Sequence, residues 1–166
     1  VRVFNSGSSS LKFGLFDLHD EPVALVHGTV TDFGAQATLD WTFRDQHRRE
    51  TLAARDHAQA AQAILDLFAR QDLLAGVAAV GHRVVHGGEH FNAPVQVTDA
   101  VLGQIESLSA LAPLHNPSAL AVIRACRARL SGVPAVAVFD TAFFHALPEH
   151  VRTYALPAEW TREFGI

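Results

Sequence analysis

The run Asn5-Ser6-Gly7-Ser8-Ser9-Ser10-Leu11-Lys12 gathers small hydroxyl side chains, a glycine and an ammonium between two short apolar stretches. Such a turn can offer backbone N–H groups, hydroxyls and a cation to one anion, as a phosphate cradle does. It is not a Walker loop, because Phe13 rather than Ser or Thr follows Lys12, and an ordinary polar hairpin turn is the competing reading. A second dense stretch is Gly81-His82-Arg83-Val84-Val85-His86-Gly87-Gly88-Glu89-His90-Phe91. His82 and His86 have the spacing that binds zinc on a helix, with His90 one step further, but Val84-Val85 and Gly87-Gly88 read as strand and turn and destroy that register. On a strand, Arg83 and Val85 share one face. There Arg83 could grip a carboxylate or phosphate with two parallel hydrogen bonds, and Val85 could line a small apolar pocket. Otherwise Arg83 pairs with Glu89 or Asp99 at the surface, and the two histidines pack near the turn.

Two further segments bear chemistry. Ala112-Pro113-Leu114-His115-Asn116-Pro117 sets His115 before a helix start, where free N–H groups and the helix dipole favour an anion; closing the loop by bonding to backbone is the simpler alternative. Asp140 directly follows the apolar run Ala135 to Phe139. A carboxylate there can hold Mg²⁺ or orient a reacting group because the sheet fixes its base, or it can merely cap the turn over 141–145.

Elements to carry these residues are legible in the pattern. Val1 to Asn5, Leu11 to Leu18, Val23 to Phe33 and Ala37 to Phe43 read as an antiparallel meander with breaks at the serine turn, at Asp20-Glu21-Pro22 and at Gly34-Ala35. Asp56 caps a helix to about Arg70 whose Ala61, Ile64, Leu65 and Phe68 form one buried stripe. Val77 to Val85 is a strand. Asn116 is the cap and Pro117 the first residue of a helix that buries Ala119, Ile123, Cys126 and Leu130 and ends at Gly132, with Arg124, Arg127 and Arg129 in its later turns. Pro134 to Phe139 is a strand covered on both faces. The predicted class is α/β: a mixed sheet with flanking helices and ligands gathered at strand ends.

With 166 residues and 49% hydrophobic content, the chain can build one core, or one core and the start of another, with one compact domain the default. A net charge of −4, with charges mixed in sign, supplies no basic stripe for nucleic acid. The lone Cys126 excludes an internal disulfide, and neither a signal peptide nor an apolar stretch of spanning length is evident, so no membrane contact and a cytoplasmic location are expected. The chain starts at Val1 and lacks methionine, as a trimmed sequence would.

Taken together, Asn5 to Lys12, Gly81 to Glu89, Ala112 to Pro117 and Phe139-Asp140-Thr141-Ala142-Phe143 resemble, in order and interval, the N-terminal half of acetate kinase. Tyr154-Ala155-Leu156-Pro157 and Phe164-Gly165-Ile166 extend the likeness to the chain's end. The resemblance implies a ribonuclease-H-like domain of the actin, Hsp70 and sugar kinase superfamily at 1–150. Residues 151–166 would begin the connection to a second, nucleotide-binding domain that is absent here, and the complete enzyme would be a homodimer. It implies reversible phosphoryl transfer from ATP to acetate, giving acetyl phosphate and ADP, with Mg²⁺ or Mn²⁺ as cofactor and little turnover by this portion alone. By the same resemblance Asn5 places the metal, and Ser8, Ser10 and Lys12 contact the nucleotide phosphates. Arg83 binds the acetate carboxylate, Val85 and Leu114 line the methyl pocket, His115 touches the phosphoryl group, and Asp140 serves the active site. Ser6 stands where the family often has Cys or Ala. Asp140 has no proton to remove from an acid already ionised at neutral pH, so metal and water orientation is its expected role. A propionate or butyrate kinase and a non-catalytic actin-like nucleotide module are the alternatives.

Overall fold

The computed structural model describes residues 1–164. The Gly165-Ile166 end of the last matching segment lies outside the described residues. Arg2–Ser6 (β1), Ser10–Asp17 (β2), Val23–Thr31 (β3), Gly34–Phe43 (β4) and Gln46–Ala54 (β5) form an antiparallel meander. Val80–Val84 (β6), Val95–Gln96 (β7) and Ala135–Phe139 (β8) complete the sheet, in the order β5-β4-β3-β2-β1-β6-β8-β7. β6 runs parallel to β1, and β8 parallel to β6. This is the α/β, ribonuclease-H-like arrangement expected from the sequence.

His57–Arg70 (α1), Asp99–Ser107 (α2) and Asn116–Arg129 (α3) are the main helices, followed by the short Glu149–Arg152 (α4) and Ala158–Phe164 (α5). Asp56 caps α1 by accepting from the Gln59 N–H at 2.8 Å, and Ala61, Ile64, Leu65 and Phe68 are buried as predicted. They meet alternate residues of β2 and β4, among them Leu11, Phe13, Leu39 and Trp41, in one core cluster. A second cluster joins Leu102 and Ile105 of α2 and Leu120 and Ile123 of α3 to Val84, Ala137 and Phe139. Cys126 belongs to the first cluster; burial pushes its thiol up to about 12, so it packs as an inert side chain.

Both clusters lie on one face of the sheet. The other face carries Val3, Asn5, Lys12, Arg83 and Val138, with Val3 and Val138 exposed. The expectation that Pro134 to Phe139 is covered on both faces is therefore corrected: Ala135, Ala137 and Phe139 are buried, but Val138 is open.

Five of these strands and helices, the short α4 and α5 among them, had no clear sequence signal. β5 is a polar edge strand whose residues 46–51 are all exposed, and it is held by its ladder to β4. Its hairpin turns through Arg44 and Asp45, with φ of 50° and 61°, the left-handed pair of a two-residue turn, normally written with Asn and Gly. β7 is two residues long. α2 starts at a Thr98 cap, its hydroxyl accepting from the Val101 N–H at 3.2 Å. The strand predicted over 77–85 is shorter, Val80–Val84.

Candidate active site

Parallel strands put their C-terminal ends on one edge, and β1, β6 and β8 deliver Asn5, Arg83 and Asp140 to it. Asn5 is the register partner of Arg83 on one side and of Lys12 on the other. Residues in register point to the same face, so Lys12, Asn5 and Arg83 form one row across three strands. Arg83 ends that row and is the hub of its hydrogen bonds. Its Nε donates to both Asp140 carboxylate oxygens at 2.9 and 3.0 Å, its Nη2 donates to Oδ2, and its Nη1 donates to Asn5 Oδ1 at 3.0 Å. The Asp140 carboxylate holds the Arg83 guanidinium above its ordinary, already high value. Both side chains keep a window to solvent, at 36% and 40% exposure, so this charged pair can still meet a ligand. The ion pairs considered for Arg83 with Glu89 or Asp99 do not form: Asp99 accepts from Arg127 at 2.8 Å.

Asp140 opens a short 3-10 helix over Asp140–Phe144 whose capping residue is Phe139, and its own carboxylate is taken up by Arg83 instead of capping that turn. The residue before it is fixed from below, because Phe139 stacks on Phe91 with ring centroids 4.4 Å apart. Gly87 sits against that stack. A Cβ at Gly87 would meet Phe91 Cβ at 2.9 Å and Phe139 Cγ at 3.0 Å, so only glycine lets the loop after β6 approach so closely. Gly88, at φ 57°, then makes the left-handed turn that a side chain resists.

Two residues outside the predicted set pin this loop. Asn116, predicted as a helix cap, is instead the first residue of α3 and fully buried. Its Oδ1 accepts from the His86 N–H at 3.2 Å and its Nδ2 donates to the His86 carbonyl at 3.0 Å, as a neighbouring strand would. Thr141 Oγ1 accepts from the Gly87 N–H at 2.9 Å. The only available clue was an Asn beside Pro117, which fits a cap equally well. His115 is the residue that caps α3, without a side-chain cap bond, and its Nδ1 is buried with no hydrogen-bond partner among the described residues.

Ser8 lies in the turn between β1 and β2 and Ser10 opens β2, the turn being closed by the Gly7 N–H donating to the Ser10 carbonyl at 2.8 Å. Val85 is half-buried just past β6. Leu114 is 71% exposed, so within this chain it faces no enclosed apolar pocket. Two sizeable clefts, of about 450 and 410 Å³, open at the opposite ends of the strands, beside Val1 and Ala78 and beside Pro134 and Ala135; none of the candidate site residues lines them. His82 points to the covered face, stacked on Phe4 at 5.8 Å, and no group of three or more metal-ligating His, Cys, Asp or Glu residues exists among the described residues. The zinc reading of His82, His86 and His90 therefore has no geometric basis. Nor is any described helix long and apolar enough to cross a membrane.

The chain is 45% identical to an acetate kinase of Geobacillus kaustophilus and 44% identical to one of Anoxybacillus flavithermus, each alignment covering all of this chain and 43% of the relative. Among solved structures it superposes on a Porphyromonas gingivalis acetate kinase (TM-score 0.90, 35% identity) and a Francisella tularensis propionate kinase (TM-score 0.89, 34% identity), in both cases over 99% of this chain and 43% of the other. The chain thus spans less than half the length of these relatives. The acetokinase family model matches residues 1–166, and the chain belongs to that family.

Proposed function

We propose that the protein containing this chain transfers the γ-phosphoryl group of ATP to the carboxylate of acetate, and that these residues supply the acyl side of the site and part of the phosphate clamp. The observation that carries the reading is the hydrogen-bonded cluster Asn5–Arg83–Asp140 in register with Lys12. A nucleotide switch has no use for a guanidinium held at an open sheet edge with part of its surface free. A carboxylate substrate does.

In this mechanism an acetate oxygen attacks the γ-phosphorus in line while the bond to the ADP oxygen breaks, giving acetyl phosphate and ADP; the reverse reaction uses the same groups. Acetate is ionised at neutral pH, so no general base is required. Positioning and charge neutralisation therefore carry the acceleration. Ser8, Ser10 and Lys12 hold nucleotide phosphate oxygens, Arg83 orients the acetate carboxylate, Val85 and Leu114 border its methyl group, and His115 contacts the phosphoryl oxygens. Asp140 and Asn5 offer one carboxylate and one amide oxygen, donor types that suit magnesium, an ion that takes few protein ligands and completes its shell with phosphate and water; these oxygens accept from Arg83 here and would have to be shared with the ion. When bound, the ion would offset phosphate charge. Residues 151–166 would lead toward a second, nucleotide-binding domain.

The test is Arg83→Ala in the full-length protein. Acetyl phosphate formation, followed as hydroxamate, should fall by about 10²–10³-fold or more, while ATP binding by calorimetry persists. Parallel loss of both would favour a nucleotide-binding module without transfer chemistry.

A further inference from the structure

His57 is the first residue of α1 and is distant in sequence from every segment that carries the candidate site. It is buried, and its Nε2 lies 2.7 Å from the Gly7 carbonyl oxygen. A carbonyl only accepts, so Nε2 carries the proton and donates. The ring is held from two sides. Asp56 fixes the backbone of the helix start, reinforced by the Arg55 N–H donating to Gln59 Oε1 at 2.9 Å, and Phe33 packs on the imidazole with centroids 4.5 Å apart.

We infer that His57 is a positioning residue for the phosphate cradle, acting through the Gly7–Ser8 peptide. The peptide unit is planar and trans, so its C=O and N–H point in opposite directions. With the Gly7 oxygen drawn toward α1, on the covered face, the Ser8 N–H is turned away from α1, toward the side on which Asn5, Lys12 and Arg83 lie. The Gly7 N–H is meanwhile committed to the Ser10 carbonyl, so both peptide groups flanking Gly7 are fixed. Without the His57 bond the Gly7–Ser8 peptide can flip. A flipped peptide presents a carbonyl oxygen where an anion needs a donor, replacing attraction with repulsion. This inference rests on the reading of Ser8 to Lys12 as a phosphate-binding turn.

The experiment compares wild type, His57→Phe and His57→Gln in the full-length protein. Phenylalanine keeps a ring against Phe33 but cannot donate; glutamine offers an amide donor at similar reach. His57→Phe should raise the Kd for ATP, and for tripolyphosphate as an adenine-free probe, about tenfold while the acetate KM stays within about twofold, and His57→Gln should regain most of the loss. The Ser8 amide resonance should shift on tripolyphosphate addition in wild type and not in His57→Phe. Unchanged polyphosphate affinity in His57→Phe, or equal weakening for ATP and acetate that glutamine does not restore, overturns the inference. Its fate separates cleanly from that of the kinase reading. A wild-type protein that makes no acetyl phosphate but binds tripolyphosphate in a His57-dependent way removes the reaction and keeps the positioning role; an active His57→Phe with wild-type ATP affinity does the reverse.

Discussion

The Arg83–Asp140 pair shows what a guanidinium adds that an ammonium cannot. Nε and Nη2 meet one carboxylate side by side, and Nη1 remains to hold Asn5, so one planar group fixes two neighbours, one on β1 and one just past the end of β8. A lysine would keep the charge and lose that geometry. The adjacent residue illustrates the opposite environment. His82 is buried against Phe4 with neither ring nitrogen bonded among the described residues, and burial pushes its pKa down to about 4 from an ordinary 6.5. Between those pH values the unfolded chain takes up a proton that the folded chain refuses. The associated stability is therefore fully present above pH 6.5 and drains away as pH falls toward 4. A His82→Phe variant should lose this component of acid sensitivity, giving a flatter dependence of Tm on pH across that window in a thermal-melt series.

At the scale of elements, the site depends on how the loop after β6 is tied down. Asn116 reaches it from α3 and Thr141 from the turn after β8, so three segments far apart in sequence lock together beside Arg83. Asn116→Ala leaves the His86 N–H and carbonyl without these bonds. It should destabilise the fold by about 2–3 kcal/mol in urea denaturation. The β4–β5 hairpin, remote from the site, offers a contrasting case. Arg44 and Asp45 both adopt positive φ at some conformational cost, although the Arg44 guanidinium lies over the Phe43 ring at 4.8 Å. The double substitution Arg44→Asn with Asp45→Gly should raise stability by about 0.5–1 kcal/mol, measured by the same denaturation, and leave the chemistry untouched.

The whole chain presents its candidate site at an open edge. Leu114 is largely exposed, the clefts lie at the other ends of the strands, and family relatives run to more than twice this length. Water therefore has free access to the row Lys12, Asn5 and Arg83, and screening weakens whatever charge stabilisation that row provides. The 166 residues by themselves should accordingly form no acetyl phosphate above background from ATP and acetate in the hydroxamate assay, while still binding tripolyphosphate weakly. Much of this was legible beforehand, because local chemistry leaves local marks: the two-residue alternation of β2 and β4, the stripe on α1, the serine turn, the arginine strand and the aspartate after an apolar run. β5 escaped because an edge strand stays polar and is specified by its neighbour's ladder. The role of Asn116 escaped because a cap and a cross-loop bridge use the same amide. By itself, then, the sequence determined the elements that carry the candidate residues and the residue types able to handle a phosphate and a carboxylate. Only the tertiary structure decided that Arg83 bonds Asp140 and Asn5 rather than Glu89 or Asp99, that the helices cover one face alone, and that His57 grips the serine turn, since each depends on contacts between segments that sequence spacing does not encode.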